Sequence, residues 1–190
     1  LCVYKEVSSL LADHDLVAQA QAGDMAAFEQ LVKEHQGPLY RYLCRMSRNA
    51  SDAEEMMQET FIKAWQSIRG FRGQASFKTW LFRIAANLCI NRLTRRRPTV
   101  ELLESAPADP SAEPEEVFRR KVRQAAIEAA LVRLPVDQRS AVLLLVYDEM
   151  TYEEIADAMG RSLASVNALL YRARMALRGY LADARGKGLL

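Results

Sequence analysis

The chain has 190 residues, 50% of them apolar and 26% charged, with a formal net charge of +2. That length and apolar content supply one modest core or two small ones and exclude a disordered or fibrous protein. So small a net charge excludes a uniformly basic nucleic-acid binder and puts the weight on where the charges lie.

Residues 1–11 lack a helical pattern and are expected to be a loose tail. The spacing then predicts an all-α chain: from Leu39 to Arg97 there is no proline, glycine is sparse, and apolar residues recur at three- and four-residue steps. A first helix is expected over Asp13–Ala22, ended by Gly23 as a C′ glycine, after which Asp24 caps a longer one. That helix carries Phe28, Leu31, Val32, Leu39, Leu43 and Met46, with Gly37-Pro38 as a kink or break. Ser51-x-x-Glu54 reads as a capping box opening a third helix, Asp52 to about Ile68. The loop Gly70–Ala75 follows, and Ser76 is placed to cap a helix running to about Arg97.

Pro98, Pro107, Pro110 and Pro114, set among small and acidic residues, make 98–116 an extended linker, so that two lobes, 12–97 and 117–182, are expected to have no fixed geometry between them. The second lobe is helical again: Val117–Arg133, then Val136–Tyr147. Thr151-x-x-Glu154 is a second capping box, Gly160 makes a turn, Ser162 caps Leu163 to about Arg178, and 183–190 is a tail. A small Ala156, with Ile155, Met159, Val166 and Leu170 as a miniature core, gives this pair the marks of a helix-turn-helix.

Charge is laid out in blocks. Between Arg69 and Arg97 the charged residues are all basic (Arg69, Arg72, Lys78, Arg83, Arg92, Arg95, Arg96, Arg97), whereas Pro98–Phe118 holds only acids (Glu101, Glu104, Asp109, Glu113, Glu115, Glu116). From Arg161 to Arg178 there are again arginines and no acid, which suits a helix lying against phosphates. Cys2, Cys44 and Cys89 form no C-x-x-C pair, so reduced thiols are expected rather than a zinc site or a disulfide framework. No apolar run approaches the ~20 residues that span a bilayer, and no signal-peptide pattern opens the chain, so a cytoplasmic protein is expected. His14 and His35 have no partner at ligand spacing and read as surface or boundary residues. No phosphate-binding loop, nucleophile elbow or metal cluster is visible, so no catalytic residue, metal, cofactor or small-molecule substrate is expected.

Two long motifs carry a resemblance. Asp52-Ala53-Glu54-Glu55-Met56-Met57-Gln58-Glu59-Thr60-Phe61-Ile62-Lys63-Ala64-Trp65, followed by Phe77-Lys78-Thr79-Trp80-Leu81-Phe82-Arg83-Ile84-Ala85-Ala86-Asn87, resembles domain 2 of the extracytoplasmic-function sigma factors of bacterial RNA polymerase. Leu134-Pro135 with Gln138-Arg139, then Thr151 to Arg174, resembles their domain 4. The likeness covers about Asp15–Arg97 and Val122–Leu181, in the family's order and spacing.

The resemblance implies a non-catalytic initiation subunit that binds core polymerase through its beta and beta-prime subunits, reads promoter DNA for a stress regulon, and is held by an anti-sigma factor, commonly membrane-anchored. Asp52, Glu54, Glu55, Gln58 and Glu59 would form the acidic face that docks on the polymerase. Phe71, Arg72 and Gln74 of the loop, with Lys78, Arg83, Asn87, Asn91, Arg95 and Arg96, would meet the minus-ten element, where a base leaves the stack. Phe77 and Trp80 are assigned to core packing rather than to base stacking. Arg161, Ser162, Ser165, Asn167, Ala168, Arg172 and Arg174 would meet the minus-thirty-five element. Asn167 and Leu169 stand where relatives are often basic, which shifts base reading toward Ser165, Asn167 and Ala168. The other readings of the residues are a stand-alone helix-turn-helix regulator and a helical nucleic-acid enzyme, for which catalytic carboxylates or metal ligands should be visible and are not. Tight binding to core polymerase with weak specific binding to duplex DNA alone is required only by the sigma reading.

Overall fold

The computed structural model of the protein describes residues 13–95 and 114–186; the expectations for the 1–11 tail, linker residues 98–113, Arg96 and the last residues 187–190 fall outside them. The described residues form helices and no strand: α1 (13–21), α2 (Met25–Ser47), α3 (Ala50–Ser67), a single 3₁₀ turn (Ile68–Gly70), α4 (Phe77–Arg95), α5 (Pro114–Val132), α6 (Val136–Val146), α7 (Tyr152–Met159) and α8 (Leu163–Gly186). The expected all-α architecture is therefore observed.

Local chemistry sets most boundaries. Gly23, at φ +101°, closes α1, and the Asp24 carboxylate accepts from the amides of Ala26 (2.8 Å) and Ala27 (3.4 Å) to open α2. Two expectations are corrected. The cap of α3 is Asn49, whose side chain accepts from the Asp52 amide at 2.8 Å, and Ser51 lies inside the helix. Nor does Gly37-Pro38 break α2, which runs on through Pro38. Proline removes the bond to the carbonyl of Glu34, but Leu31, His35, Leu39, Tyr42 and Leu43 are buried on both sides of it, and that packing outweighs one lost backbone bond. At the other end of the gap α5 starts at Pro114, inside the expected linker, with proline at the first helical position where its missing N–H costs nothing. Helix α8 is longer than expected, reaching Gly186.

In the first lobe α2, α3 and α4 pack around Leu31, Leu39, Leu43, Met56, Leu81 and Phe82, with Phe28 against Trp65 (5.0 Å between ring centroids) and Tyr42 against Phe82 (5.4 Å). In the second, α7 and α8 cross on Ile155, Ala158, Val166 and Leu170, closed from above by α6. The capping box at Thr151 is present: its hydroxyl accepts from the Glu154 amide (3.2 Å) and its own amide donates to the Glu154 carboxylate (2.9 Å). Gly160 takes φ +60° at the turn, a conformation that side chains other than glycine and asparagine seldom adopt.

The lobes share one core, contrary to the expectation of no fixed spacing. Helix α4 lies against α6 and α7, and α2 against α6. Across this seam the buried Tyr42 hydroxyl hydrogen-bonds the buried Ser140 hydroxyl (2.8 Å), Lys78 Nζ donates to the backbone carbonyl of Asp148 (2.7 Å), and the Arg45 guanidinium stacks on the Tyr147 ring (4.0 Å). Composition of the linker said nothing of these contacts, because each pairs residues about a hundred apart or lies in an ordinary helical pattern. The seam is imperfectly satisfied: Arg139 Nε and Asp148 Oδ2 are buried without a hydrogen-bond partner.

Burial pushes the Asp148 carboxyl up to about 6, with Lys78, Arg45 and Arg41 pulling the other way. Parting the lobes returns it toward its ordinary 3.8. The closed form therefore binds the proton more tightly, and the stabilisation this gives grows as pH falls below about 6, is full below 3.8, and is lost as pH rises through 6. The closed-to-open ratio is expected to rise about tenfold between pH 7 and pH 5, read as the fluorescence-transfer efficiency between dyes on the two lobes. Asp148→Asn should stay closed with no such pH dependence; an unchanged profile in the variant would show that another group carries it.

Candidate nucleic-acid interface

Helix α4 is the centre of the first surface. Phe77, Thr79, Leu81, Phe82, Ala85, Ala86 and Cys89 are buried, leaving Arg83, Asn87, Asn91, Thr94 and Arg95 as one exposed stripe at steps of three and four residues. The expected polar stripe is thus brought together, and Arg95 continues it. Asn87, Asn91, Arg92 and Arg95 also line a groove of about 730 Å³, whose far wall is Glu59 and Lys63 of α3. Arg96 lies outside the described residues.

At the other end of the stripe the loop 70–75 folds over an aromatic cluster. Phe71 packs against Trp80 (5.0 Å) and edge-on to Phe77 (6.4 Å), and Phe77 touches Trp80 (5.7 Å). Gln21 of α1 fastens the loop by donating to the carbonyls of Ile68 (3.0 Å) and Phe71 (2.7 Å). Phe77 is buried, as expected of a core residue. Trp80 is only half-buried and, with Phe71, Arg72, Gln74, Thr79 and Arg83, lines a cavity of about 190 Å³. Its helical spacing pointed to the core, and spacing alone cannot show that a ring lies at a cavity wall. Asp157 of α7 also lines this cavity, so the second lobe forms part of its wall. Lys78 is withdrawn from the expected set in this state, since its ammonium is held by the Asp148 carbonyl across the seam.

The acidic face lies on α3. Glu54, Glu55 and Gln58 are exposed, while Asp52 and Glu59 are half-buried. Among them Glu55 pairs with Arg92 of α4 at 2.7 Å, which holds that guanidinium above its ordinary range, and Glu59 pairs with Lys63 at 3.4 Å.

On α8, Ala164, Asn167, Ala168, Tyr171, Arg174, Met175 and Arg178 are exposed along one side, and Arg172 borders them, its Nε donating to the Ala168 carbonyl (3.1 Å). Ser162 caps the helix by accepting from the Ser165 amide at 3.2 Å, so its hydroxyl is used locally and Ser165 is half-buried. Arg161 is paired with Asp137 of α6. Leu169 is 7% exposed and belongs to the core, so in this chain it is no contact position. Tyr171, 64% exposed, was not singled out from the sequence, although its place four residues after Asn167 puts it on the same face.

His35 is a correction of a different kind. It is buried, with Nε2 3.1 Å from Asp13 Oδ2 and its ring 5.2 Å from that of Phe77. A partner twenty-two residues away on another helix leaves no mark in local spacing. The described cysteines are free thiols; Cys89 is buried and pushed up to about 12, which makes it inert at neutral pH.

The chain matches the Sigma-70 region 2 family over residues 31–99 and the Sigma-70, region 4 family over residues 124–177. It is 34% identical to the RNA polymerase sigma-H factor of Pseudomonas aeruginosa, over 87% of this chain and 91% of that protein. It is 35% identical to the ECF RNA polymerase sigma-E factor of Haemophilus influenzae, over 86% and 92%. Among solved structures, CnrH in complex with the cytosolic domain of CnrY aligns with a TM-score of 0.70 and 27% identity, covering 90% of this chain and 98% of that one.

The two sides of α8 should separate in a stability measurement. Leu169→Ala is expected to lose about 2–5 kcal/mol in urea unfolding, as a truncated core residue does, and Asn167→Ala to stay within about 0.5 kcal/mol of the parent.

Proposed function

The chain belongs to the extracytoplasmic-function sigma factors of the sigma-70 family and is an RNA polymerase sigma factor, the subunit that directs promoter-specific initiation; on that premise we propose which surfaces do the work. It binds core RNA polymerase and promoter DNA. Bond making stays with the polymerase, and this chain supplies recognition alone.

The observation that carries the assignment is the stripe Arg83, Asn87, Asn91 and Arg95, acid-free and running from the Phe71–Trp80 cavity to the basic end of α4. The strand's phosphates follow the stripe, and a base turned out of the stack enters the cavity, where Phe71 and Trp80 offer ring faces and Arg72, Gln74 and Arg83 offer donors. Unstacking costs a few kcal/mol, which stacking of about 1–3 kcal/mol per base and hydrogen bonds to the base edge offset. The exposed acids of α3, with Asp52 and Glu59 beside them, dock on a basic surface of the polymerase. Asn167 and Ala168 of α8 read the minus-thirty-five element, with Tyr171 beside them, while Arg172 and Arg174 hold the helix to the backbone.

Since Asp157 lines the cavity from the second lobe and Lys78 is held across the seam, the lobes part when the holoenzyme forms. The chain works in the cytoplasm. An anti-sigma partner that holds the lobes together would keep these surfaces from the polymerase, and CnrH, the similar chain, is bound to the cytosolic domain of its own partner.

In transcription with purified core enzyme, promoter-specific product is expected only when this chain is added, and Trp80→Ala is expected to slow strand opening with core binding unchanged. For the second lobe, holoenzyme binding to a matched set of minus-thirty-five variants separates the roles. Asn167→Ala should cost about 1–3 kcal/mol at one or two base pairs, whereas Arg172→Ala or Arg174→Ala should weaken all variants alike and lower the salt slope by about one. Uniform weakening by Asn167→Ala would remove that residue from base reading.

A further inference from the structure

Beneath the loop 70–75, and outside every surface assigned above, Asp13 of α1 meets Glu34 and His35 of α2. One carboxylate oxygen from each acid and a ring nitrogen of His35 all lie within 4.8 Å of one another. We propose that these three side chains bind a divalent transition-metal ion of the zinc class, which ties α1 to α2 under the promoter-facing loop.

The donor set is the first support. Imidazole and carboxylate oxygen are ordinary zinc ligands, and bonds of about 2.0–2.1 Å in a tetrahedron put neighbouring donors about 3.3 Å apart. His35 Nε2 and Asp13 Oδ2 already stand at 3.1 Å. Glu34 is exposed, so its side chain can close the remaining distance by rotation at no cost in packing. A structural site takes four protein ligands; three, with the fourth position left to water, is the open arrangement.

Asp13 supplies the second, independent support. Its side chain is 8% exposed, and buried Oδ1 has no donor facing it, the side chain's other neighbour, Glu34, being a second carboxyl, although a carboxylate in such a place is nearly always satisfied. The same residue lines a cavity of about 420 Å³ with Gln21, Phe71 and Phe77, which gives water and an ion a way in. Charge points the same way. Asp13 and Glu34 bring two carboxyl groups together beside the His35 ring, and among the described residues neither acid forms an ion pair with a lysine or arginine. A divalent ion would supply the opposing charge that two neighbouring carboxyl groups lack.

The position gives the site a consequence. The His35 ring packs on Phe77, which packs in turn on Phe71 and Trp80, and α1 holds the loop through Gln21. An ion at Asp13, Glu34 and His35 therefore fixes both the helix that fastens the loop and the ring on which the loop rests.

The test is direct binding to the full chain, stripped with chelator and titrated with Zn²⁺ and with Co²⁺, whose visible absorption reports four-coordinate nitrogen and oxygen ligation. One equivalent is expected to bind and to raise the melting temperature with metal concentration. Glu34→Gln, a surface change, should weaken binding by more than about tenfold, the loss that even an outer-sphere partner brings. His35→Gln and Asp13→Asn should abolish the cobalt spectrum. Absence of a bound equivalent in the parent chain would overturn the proposal, and so would binding that survives Glu34→Gln and His35→Gln. Loss of binding on Cys44→Ser alone, with a thiolate-type cobalt spectrum, would also overturn it by moving the ion to a cysteine. None of these readouts depends on transcription, so the site and the sigma reading stand or fall separately.

Discussion

Helix α4 is packed on nearly every side, and that confinement orders much else in the molecule. Helices α2 and α3 take one side of it and α6 and α7 take another, so only a narrow strip of its circumference meets water. Ala85 and Ala86 suit such a place, since small side chains let neighbouring helices approach closely. A helix enclosed in this way has to collect its polar side chains along one line. Arg83, Asn87 and Asn91 form that line, and the same enclosure that builds the core thereby fixes the direction in which a nucleic-acid strand can run.

The seam between the lobes is made differently from the cores on either side. Apolar packing there is interrupted by a hydroxyl pair, an ammonium on a carbonyl and a guanidinium on an aromatic ring. Each of these groups finds water as good a partner once the lobes separate, so their net contribution to closure is modest. Buried Arg139 and Asp148, each with an atom left unpartnered, work against closure, and burial pulls the Arg139 guanidinium below its ordinary range. A seam of this composition holds a state without locking it.

What could be read from the sequence was what local physics decides. Asp24, Thr151-x-x-Glu154, Gly23 and Gly160 are chemical signals whose meaning is settled within four residues, and the helix starts and turns they predict are where they should be. Ser51 misled because Asn49, two residues earlier, is also a good cap and won the competition. The motif resemblance pointed to α4 and α8 as the helices proposed to face DNA. Burial on their faces was less legible: Leu169 and Asn167 differ by two positions, yet one is core and the other exposed, and only the packing of α8 on α6 and α7 decides which. Contacts between helices distant in the chain, such as Asp13 with His35 and Tyr42 with Ser140, have no local signature at all.

Tyr42 and Ser140 belong to one covalent chain, and that makes closure a first-order event. A tether of moderate length places the two lobes before each other at an effective concentration of about millimolar. Dilution therefore does not open the protein, and raising its abundance does not close it. Any ligand that needs the open form sees its affinity reduced by the fraction of molecules open at that instant. For a ligand that takes only the open form, the threshold of capture is then set inside the chain, by an intramolecular equilibrium.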